Sequence, residues 1–175
     1  TLRQDELTDL DSNVSRFIRQ NAGQSSMSAV GQDLTYDRRD DRFDPTEGYY
    51  VRLSNDLAGL GGDANFLKNR LTVGTYYSVI EEWVASLTGE VGYLEDFGEK
   101  TRIQHRFFLG GDSFRGFSTG GVGPRETVRG AALGGRELYA GSAELTFPSG
   151  LPREIGIRTS IFSDFGLVTD SGESG

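Results

Sequence analysis

The sequence contains no cysteine, a single histidine, four prolines and no long apolar run, and each shortage narrows what the chain can be. Without cysteine there is no disulfide framework and no thiolate metal site, and the redox compartment leaves no mark. His105 has no second histidine and no cysteine with which to share a metal, so it is expected to pack or hydrogen-bond within its own segment; neither metal nor cofactor is expected. A helix that crosses a bilayer needs roughly 20 consecutive apolar residues, and no window here approaches that, which excludes a helical membrane protein. Basic charge is also short. Lysine and arginine number 18 against 26 aspartates and glutamates, giving a net charge of −8 and a pI near 4.7, the opposite of the basic face that nucleic acid requires. No nucleic-acid partner is expected.

What is present is glycine, at 25 residues, and aromatic side chains, at 11%. A mean hydropathy of −0.43 would fit a soluble protein. It fits a membrane barrel equally well, because barrel strands carry their apolar half in alternation and average out as polar. The chain opens at Thr1 with neither an initiator methionine nor a signal peptide, so a part upstream is expected to have been removed.

Parity carries the fold reading, since successive strand side chains point to opposite faces. Over residues 49–57, Tyr49, Val51, Leu53 and Leu57 oppose Tyr50, Arg52, Ser54 and Asp56. Over 66–79, Leu67, Asn69, Leu71, Val73, Thr75, Tyr77 and Val79 oppose Lys68, Arg70, Thr72, Gly74, Tyr76 and Ser78, and over 83–93 Trp83, Ala85, Leu87, Gly89, Val91 and Tyr93 oppose Val84, Ser86, Thr88, Glu90 and Gly92. Residues 138–147 set Tyr139, Ala143, Leu145 and Phe147 against Ser142, Glu144 and Thr146; residues 155–166 set Ile155, Ile157, Ile161 and Phe165 against Arg158, Ser160, Phe162 and Asp164. The pattern is weaker over 28–36, where Val30, Leu34 and Tyr36 share a face, and weakest over 1–9, a seventh strand held loosely.

A soluble antiparallel sandwich alternates too, with one face on a core and the other in water. Three features favour lipid instead. The runs are about 9 to 13 residues long, beyond the usual globular strand and matched to a tilted crossing of the hydrocarbon layer. Aromatic residues stand near their ends on the apolar parity (Tyr36, Tyr49, Tyr77, Trp83, Tyr93, Tyr139, Phe147, Phe165), where an interfacial girdle needs them. Connections also alternate: short around 37–48, 80–82 and 148–154, long around 10–27, 58–66 and 94–137, as expected of periplasmic turns and extracellular loops. The fold class is therefore all-β, an antiparallel transmembrane β-barrel in a single partial domain over 1–175. Six strands, or seven with the first, are fewer than the roughly eight of the smallest single-chain barrels, and an open edge in lipid leaves backbone groups unsatisfied. The chain is expected to be an incomplete part of a larger barrel.

The 94–137 segment is too long for an ordinary connection. Phe107, Phe108, Phe114 and Phe117 among the glycine pairs Gly110-Gly111, Gly120-Gly121 and Gly134-Gly135 indicate a folded insertion. Those glycines lack the lysine and strand-to-helix context of a phosphate loop. The polar-face charges Arg52, Asp56, Lys68, Arg70, Glu90 and Arg158 read as a solvated inner wall with ion pairs to the loops rather than as a selective pore. Residues 14–20 read as a short surface helix capped by Ser12 or Asn13, with plain loop as the simpler alternative.

The triplet Arg115-Gly116-Phe117, preceded by Gly110-Gly111 and followed by Gly123-Pro124-Arg125, resembles the inward-folded sixth extracellular loop of the Omp85 family. Thr35-Tyr36-Asp37-Arg38-Arg39-Asp40 and Asp44-Pro45-Thr46-Glu47-Gly48-Tyr49 support the likeness, which runs from about Ser28 to Val168. Phe114 departs from the usual valine but keeps an apolar anchor. The resemblance implies a barrel of about 16 strands and a loop arginine, Arg115, that reaches acidic residues on the inner wall. The candidates are Glu144 and Asp164, which parity independently places on the polar face. It further implies a non-enzymatic protein of the bacterial outer membrane that assembles and inserts β-barrel proteins. Its partners would be unfolded outer-membrane clients, accessory lipoproteins reached through periplasmic domains absent here, and lipid. Rival readings are another Omp85 pore, for autotransporter assembly or two-partner secretion; a passive porin; and a soluble β-sandwich binding module.

Overall fold

The computed structural model describes residues 2–7, 23–62, 65–97, 103–128, 130–150 and 157–170. Seven antiparallel strands form one sheet in which spatial order equals chain order: β1 (Leu2–Leu7), β2 (Gly23–Asp37), β3 (Gly48–Gly62), β4 (Phe66–Ile80), β5 (Trp83–Asp96), β6 (Glu137–Pro148) and β7 (Arg158–Thr169). This up-and-down meander is the connectivity of a barrel wall, and among the described residues β1 and β7 each pair on one side only. The expected helix at residues 14–20 lies outside the described residues, as do Ile155 and Gly156 at the expected start of β7.

The register aligns side chains of like character across the sheet. One outward row runs Leu34, Leu53, Leu71, Val91, Tyr139, Leu167, and another runs Tyr77, Ala85, Leu145, Ile161. Leu71, Val73, Leu87, Ile161 and Phe165 all stand exposed on this face. A soluble sandwich would have buried them together, and a water-facing patch of this extent is untenable; the face suits hydrocarbon. Aromatic contacts mark its turn-side ends, with Tyr36 6.0 Å from Tyr49 and Trp83 stacked on Phe147 at 5.2 Å. Towards the other end the apolar rows are interrupted by Asn55 and Asn69, which hydrogen-bond to each other at 2.5 Å, before the row Val30, Leu57, Leu67.

The inner rows follow the same register. From the turn end they read Tyr76–Ser86–Glu144–Phe162, Tyr50–Gly74–Thr88–Ser142–Asp164, Arg52–Thr72–Glu90–Ala140–Gly166, and Ser54–Arg70–Gly92–Leu138–Val168. They begin polar and end apolar. Ala58, Phe66, Leu94, Leu138 and Val168, all on the inner parity near the loop end, join Phe107, Leu109 and Phe114 of the β5–β6 loop in the buried core. The core thus sits inside the curve of the wall, under a loop folded inward.

The expected rhythm of connection lengths requires correction. The link between β3 and β4 is residues 63–65, shorter than the supposedly short link 38–47 between β2 and β3. Apolar alternation fails at Ala58-Gly59-Leu60-Gly61-Gly62, yet the backbone continues as strand to Gly62, with Gly59 at φ +132° and a register shift in β2 opposite. Ladder hydrogen bonds do not depend on side-chain polarity, so a strand outlasts the pattern that reveals it. The strands are longer than the alternation indicated, and loop length alone does not orient them.

The 38–47 turn is built by Asp40. Its carboxylate accepts from Thr46 Oγ1 at 2.6 Å and from the amides of Thr46 and Glu47, both at 3.0 Å. These bonds hold the Asp40 carboxyl well below the ordinary carboxylate range. A depressed group stabilises above its ordinary pKa of about 4, and that contribution disappears as pH falls through the folded value. The amides of Thr46 and Glu47 are therefore expected to stay protected from hydrogen exchange at neutral pH and to lose protection in strong acid. In Asp40→Asn the pH dependence should vanish, and an unchanged profile would show that another group orders the turn. Gly48 closes the turn at φ +100°, where a Cβ would lie 2.2 Å from the Arg38 carbonyl.

Candidate functional site

The loop between β5 and β6, described over residues 103–128 and 130–136, enters the concave side and is tied into the wall at successive depths. Its two roots pair with each other: the amides of Phe107 and Gly135 each donate to the other's carbonyl at 2.9 Å. Phe107 then lies over Gly92, the inner-row position with no side chain, where a Cβ would meet the ring at 2.6–3.1 Å. Lys68 Nζ stands 4.5 Å above the same ring and donates to the His105 carbonyl at 2.7 Å. One row deeper, Leu109 and Phe114 crowd the bare backbone of Gly166 in the same manner. Two inner-row glycines thus act as seats for loop side chains, and the loop follows them down the wall.

At the deepest point is Arg115. Its Nε donates to Asp164 Oδ2 at 2.8 Å, Nη2 to Asp164 Oδ1 at 2.7 Å and to Ser142 Oγ at 2.7 Å, and Nη1 to Glu144 Oε2 at 2.6 Å. The Arg115 amide adds a bond to Asp164 Oδ2 at 3.3 Å, while Ser142 Oγ donates to Asp164 Oδ1 at 2.6 Å. The guanidinium carbon lies 3.5 Å from the centroid of the Phe162 ring. A planar guanidinium with a rigid fork suits this set: two carboxylates in its plane and an aromatic face beneath it. Both carboxylates reinforce its charge, with the Asp164 hydrogen bond the larger influence. Asp164 is 9% exposed and Arg115 37%, so the cluster borders a wet lumen rather than a dry core. What this arrangement can do is hold the loop against the wall.

The remaining motif residues shape the loop around this point. Gly110 (φ +135°) and Gly111 (φ +63°) turn the chain so that the Gly111 amide reaches the Phe117 carbonyl at 2.8 Å, closing the Phe114–Phe117 segment into a tight ring. Gly116, at φ +84°, completes the reversal, and the Phe117 ring is 5.3 Å from that of Phe114. Gly123 packs on Val168. Pro124 and Arg125 do not approach Arg115: the Pro124 carbonyl accepts from Leu133, and Arg125 donates to the carbonyls of Gly130 and Gly120. They fold the loop on itself.

Among the inner charges, Arg70 pairs with Glu90 at 3.2 Å, and Arg158 forms a bidentate pair with Asp44 of the 38–47 turn. His105 packs against Phe66 with ring centroids 4.9 Å apart.

Sequence reasoning missed Ser142 and Phe162. Phe162 carried a signal, being a large aromatic on an otherwise polar parity. Ser142 carried none, because its place beside Asp164 follows from the β6–β7 register, which pairs Ser142 with Asp164 and Glu144 with Phe162.

Comparison with known proteins agrees with this fold. The Omp85 superfamily domain matches residues 1–174. The outer membrane protein assembly factor BamA of Neorickettsia risticii is 34% identical over 94% of the chain, and a SAM50-like protein of Schizosaccharomyces pombe is 35% identical over 82%. The chain spans 22% of the length of the first and 31% of the second. Among solved structures, BamA from Haemophilus ducreyi lacking POTRA domains 1–3 superposes with a TM-score of 0.75 at 24% identity, over 85% of this chain and 31% of that one. With its meander wall, outward apolar face and arginine-bearing inward loop, the chain belongs to the Omp85 superfamily, as a BamA-like piece of β-barrel.

Proposed function

We propose that the protein containing this wall assembles and inserts β-barrel proteins into the bacterial outer membrane, by a non-covalent mechanism. The observation that carries this reading is the loop: its Arg115-Gly116-Phe117 motif is held against the wall by Glu144, Ser142 and Asp164. Relatives named for outer-membrane protein assembly, and for sorting and assembly in yeast, support the same direction. On this reading the described strands form a braced wall, and Arg115 locks the loop to it. Such a brace leaves deformation to other parts of the barrel, where an unpaired strand edge can accept an incoming strand by β-augmentation. The partners are unfolded outer-membrane proteins, lipid, and accessory lipoproteins that bind outside this segment.

The test is reconstitution of the full-length protein in liposomes of bacterial outer-membrane phospholipid, with a urea-unfolded outer-membrane protein added. The expected result is a protease-resistant folded client whose yield falls sharply for Arg115→Ala. A client that stays protease-sensitive beside a large, steady ion conductance would overturn the proposal in favour of a passive pore.

A further inference from the structure

The loop has a second anchor that its signature motif does not contain. Arg106, at its first root, donates from Nη1 to Asp170 Oδ2 at 2.9 Å, and Arg136, at its second root, donates from Nε to Asp170 Oδ1 at 2.5 Å. Each oxygen of one carboxylate therefore takes one root. Arg136 also approaches Asp96, at the end of β5, at 3.7 Å. The two arginines, at 14% for Arg106 and 25% for Arg136, are less exposed than Arg115 at 37%, and Asp170, at 12%, is nearly as shielded as Asp164. A charge cluster this shielded is screened far less than a surface pair, and losing one member strands the others.

We infer that Asp170 is a positioning residue that clamps both roots of the loop to the end of β7, independently of the Arg115 lock. Two features of the geometry support independence. Asp164 and Asp170 are six residues apart (170 − 164) on one extended segment, about 20 Å at roughly 3.3 Å per residue, beyond the distance over which side chains usually couple. The roots are also joined to each other through Phe107 and Gly135, so the clamp holds a closed neck while Arg115 holds the tip. A loop held at neck and tip is confined to the lumen even while either hold is open. The inference concerns where the loop sits and stands whether or not the protein acts as an insertase.

The experiment is hydrogen exchange on the full-length protein in nanodiscs, read on peptides covering residues 103–109 and 131–136. Asp170→Asn should speed exchange of both root peptides by about tenfold or more, as expected for a broken shielded pair, with the Arg115 peptide little changed. Arg106→Gln and Arg136→Gln should each give a smaller rise, because the paired roots retain the other arm. Once both arginines are replaced, adding Asp170→Asn should change nothing further. That last comparison separates a clamp from a general structural role, in which the aspartate change would add to the arginine changes in full. Root exchange unaltered in Asp170→Asn, or full additivity with the arginine pair, would overturn the inference. Barrel folding of each variant is checked by heat-modifiable gel mobility; if Asp170→Asn fails to fold, the arginine double variant stands in for it and should speed exchange of both root peptides by about tenfold or more, while Asp170→Glu in the parent, which keeps the carboxylate, leaves exchange near wild type; root exchange unaltered in the double variant would overturn the inference.

Discussion

Arg115→Ala, made in the full-length protein, is expected to release the tip of the loop and to lower the stability of the loop-docked state by about 2–4 kcal/mol. The size follows from what the guanidinium does. Four of its N–H bonds reach oxygen, three of them on carboxylates, and charge-assisted bonds contribute about 1.5–3 kcal/mol each in favourable settings. The sum does not apply, because the side chain is more than a third exposed to a wet lumen and its field is screened. What persists is the penalty on Asp164, which at 9% exposure would be left shielded and without its cation. Accessibility of a cysteine placed at Leu109, which is 3% exposed while the loop is docked, to a bulky, membrane-impermeant maleimide reads the release directly. Labelling should be slow in the parent and faster by about thirtyfold or more in Arg115→Ala, the factor to which 2 kcal/mol corresponds. Equal labelling rates would show that the aromatic and glycine contacts hold the tip unaided.

Arg115→Lys distinguishes charge from geometry. A lysine keeps the positive charge but offers a point donor where the site presents two carboxylates, a hydroxyl and a ring. It should recover less than half of the lost stability. Full recovery would mean that charge neutralisation, and not the fork, is what the pocket requires.

The fold was legible because a barrel wall obeys one rule along its length. Glu144 and Asp164 fell on the lumen face from parity alone, and the outward placement of Leu71, Val73 and Leu87 followed from the same count. Where the rule lapses, the sequence falls silent: beyond Leu57 the glycine-rich end of β3 holds its strand through backbone bonds that leave no side-chain pattern. Relations across strands were equally hidden. Ser142 faces Asp164, and Phe162 lies beneath Arg115, through the β6–β7 register, a property of pairing and not of either strand. The Asp170 clamp was invisible for another reason. Arg106 and Asp170 are 64 positions apart and neither lies in a recognisable motif, so only the folded loop brings them together.

Phe107→Ala should be as damaging as loss of the arginine, and by a different route. The ring is 1% exposed and sits in the hollow that Gly92 leaves on the inner wall, within the same buried cluster as Leu94, Leu138 and Val168. Removing a buried phenylalanine costs about 3–5 kcal/mol when the surroundings cannot collapse into the space, and here they cannot, because the floor is a hydrogen-bonded sheet. Lys68 and Arg70 lose the ring face they lie over, at 4.5 and 5.4 Å from its centroid, which adds to the loss. The complementary change, Gly92→Val, should expel the same ring by occupying its seat, since even a Cβ there would approach it to 2.6 Å. The two effects are then not independent: in Phe107→Ala/Gly92→Val the valine occupies part of the vacated space, and the double variant should unfold at a urea concentration higher than the sum of the two losses predicts. Strict additivity in that cycle would place the damage of Gly92→Val in the strand itself and remove the glycine from its role as a seat for the loop.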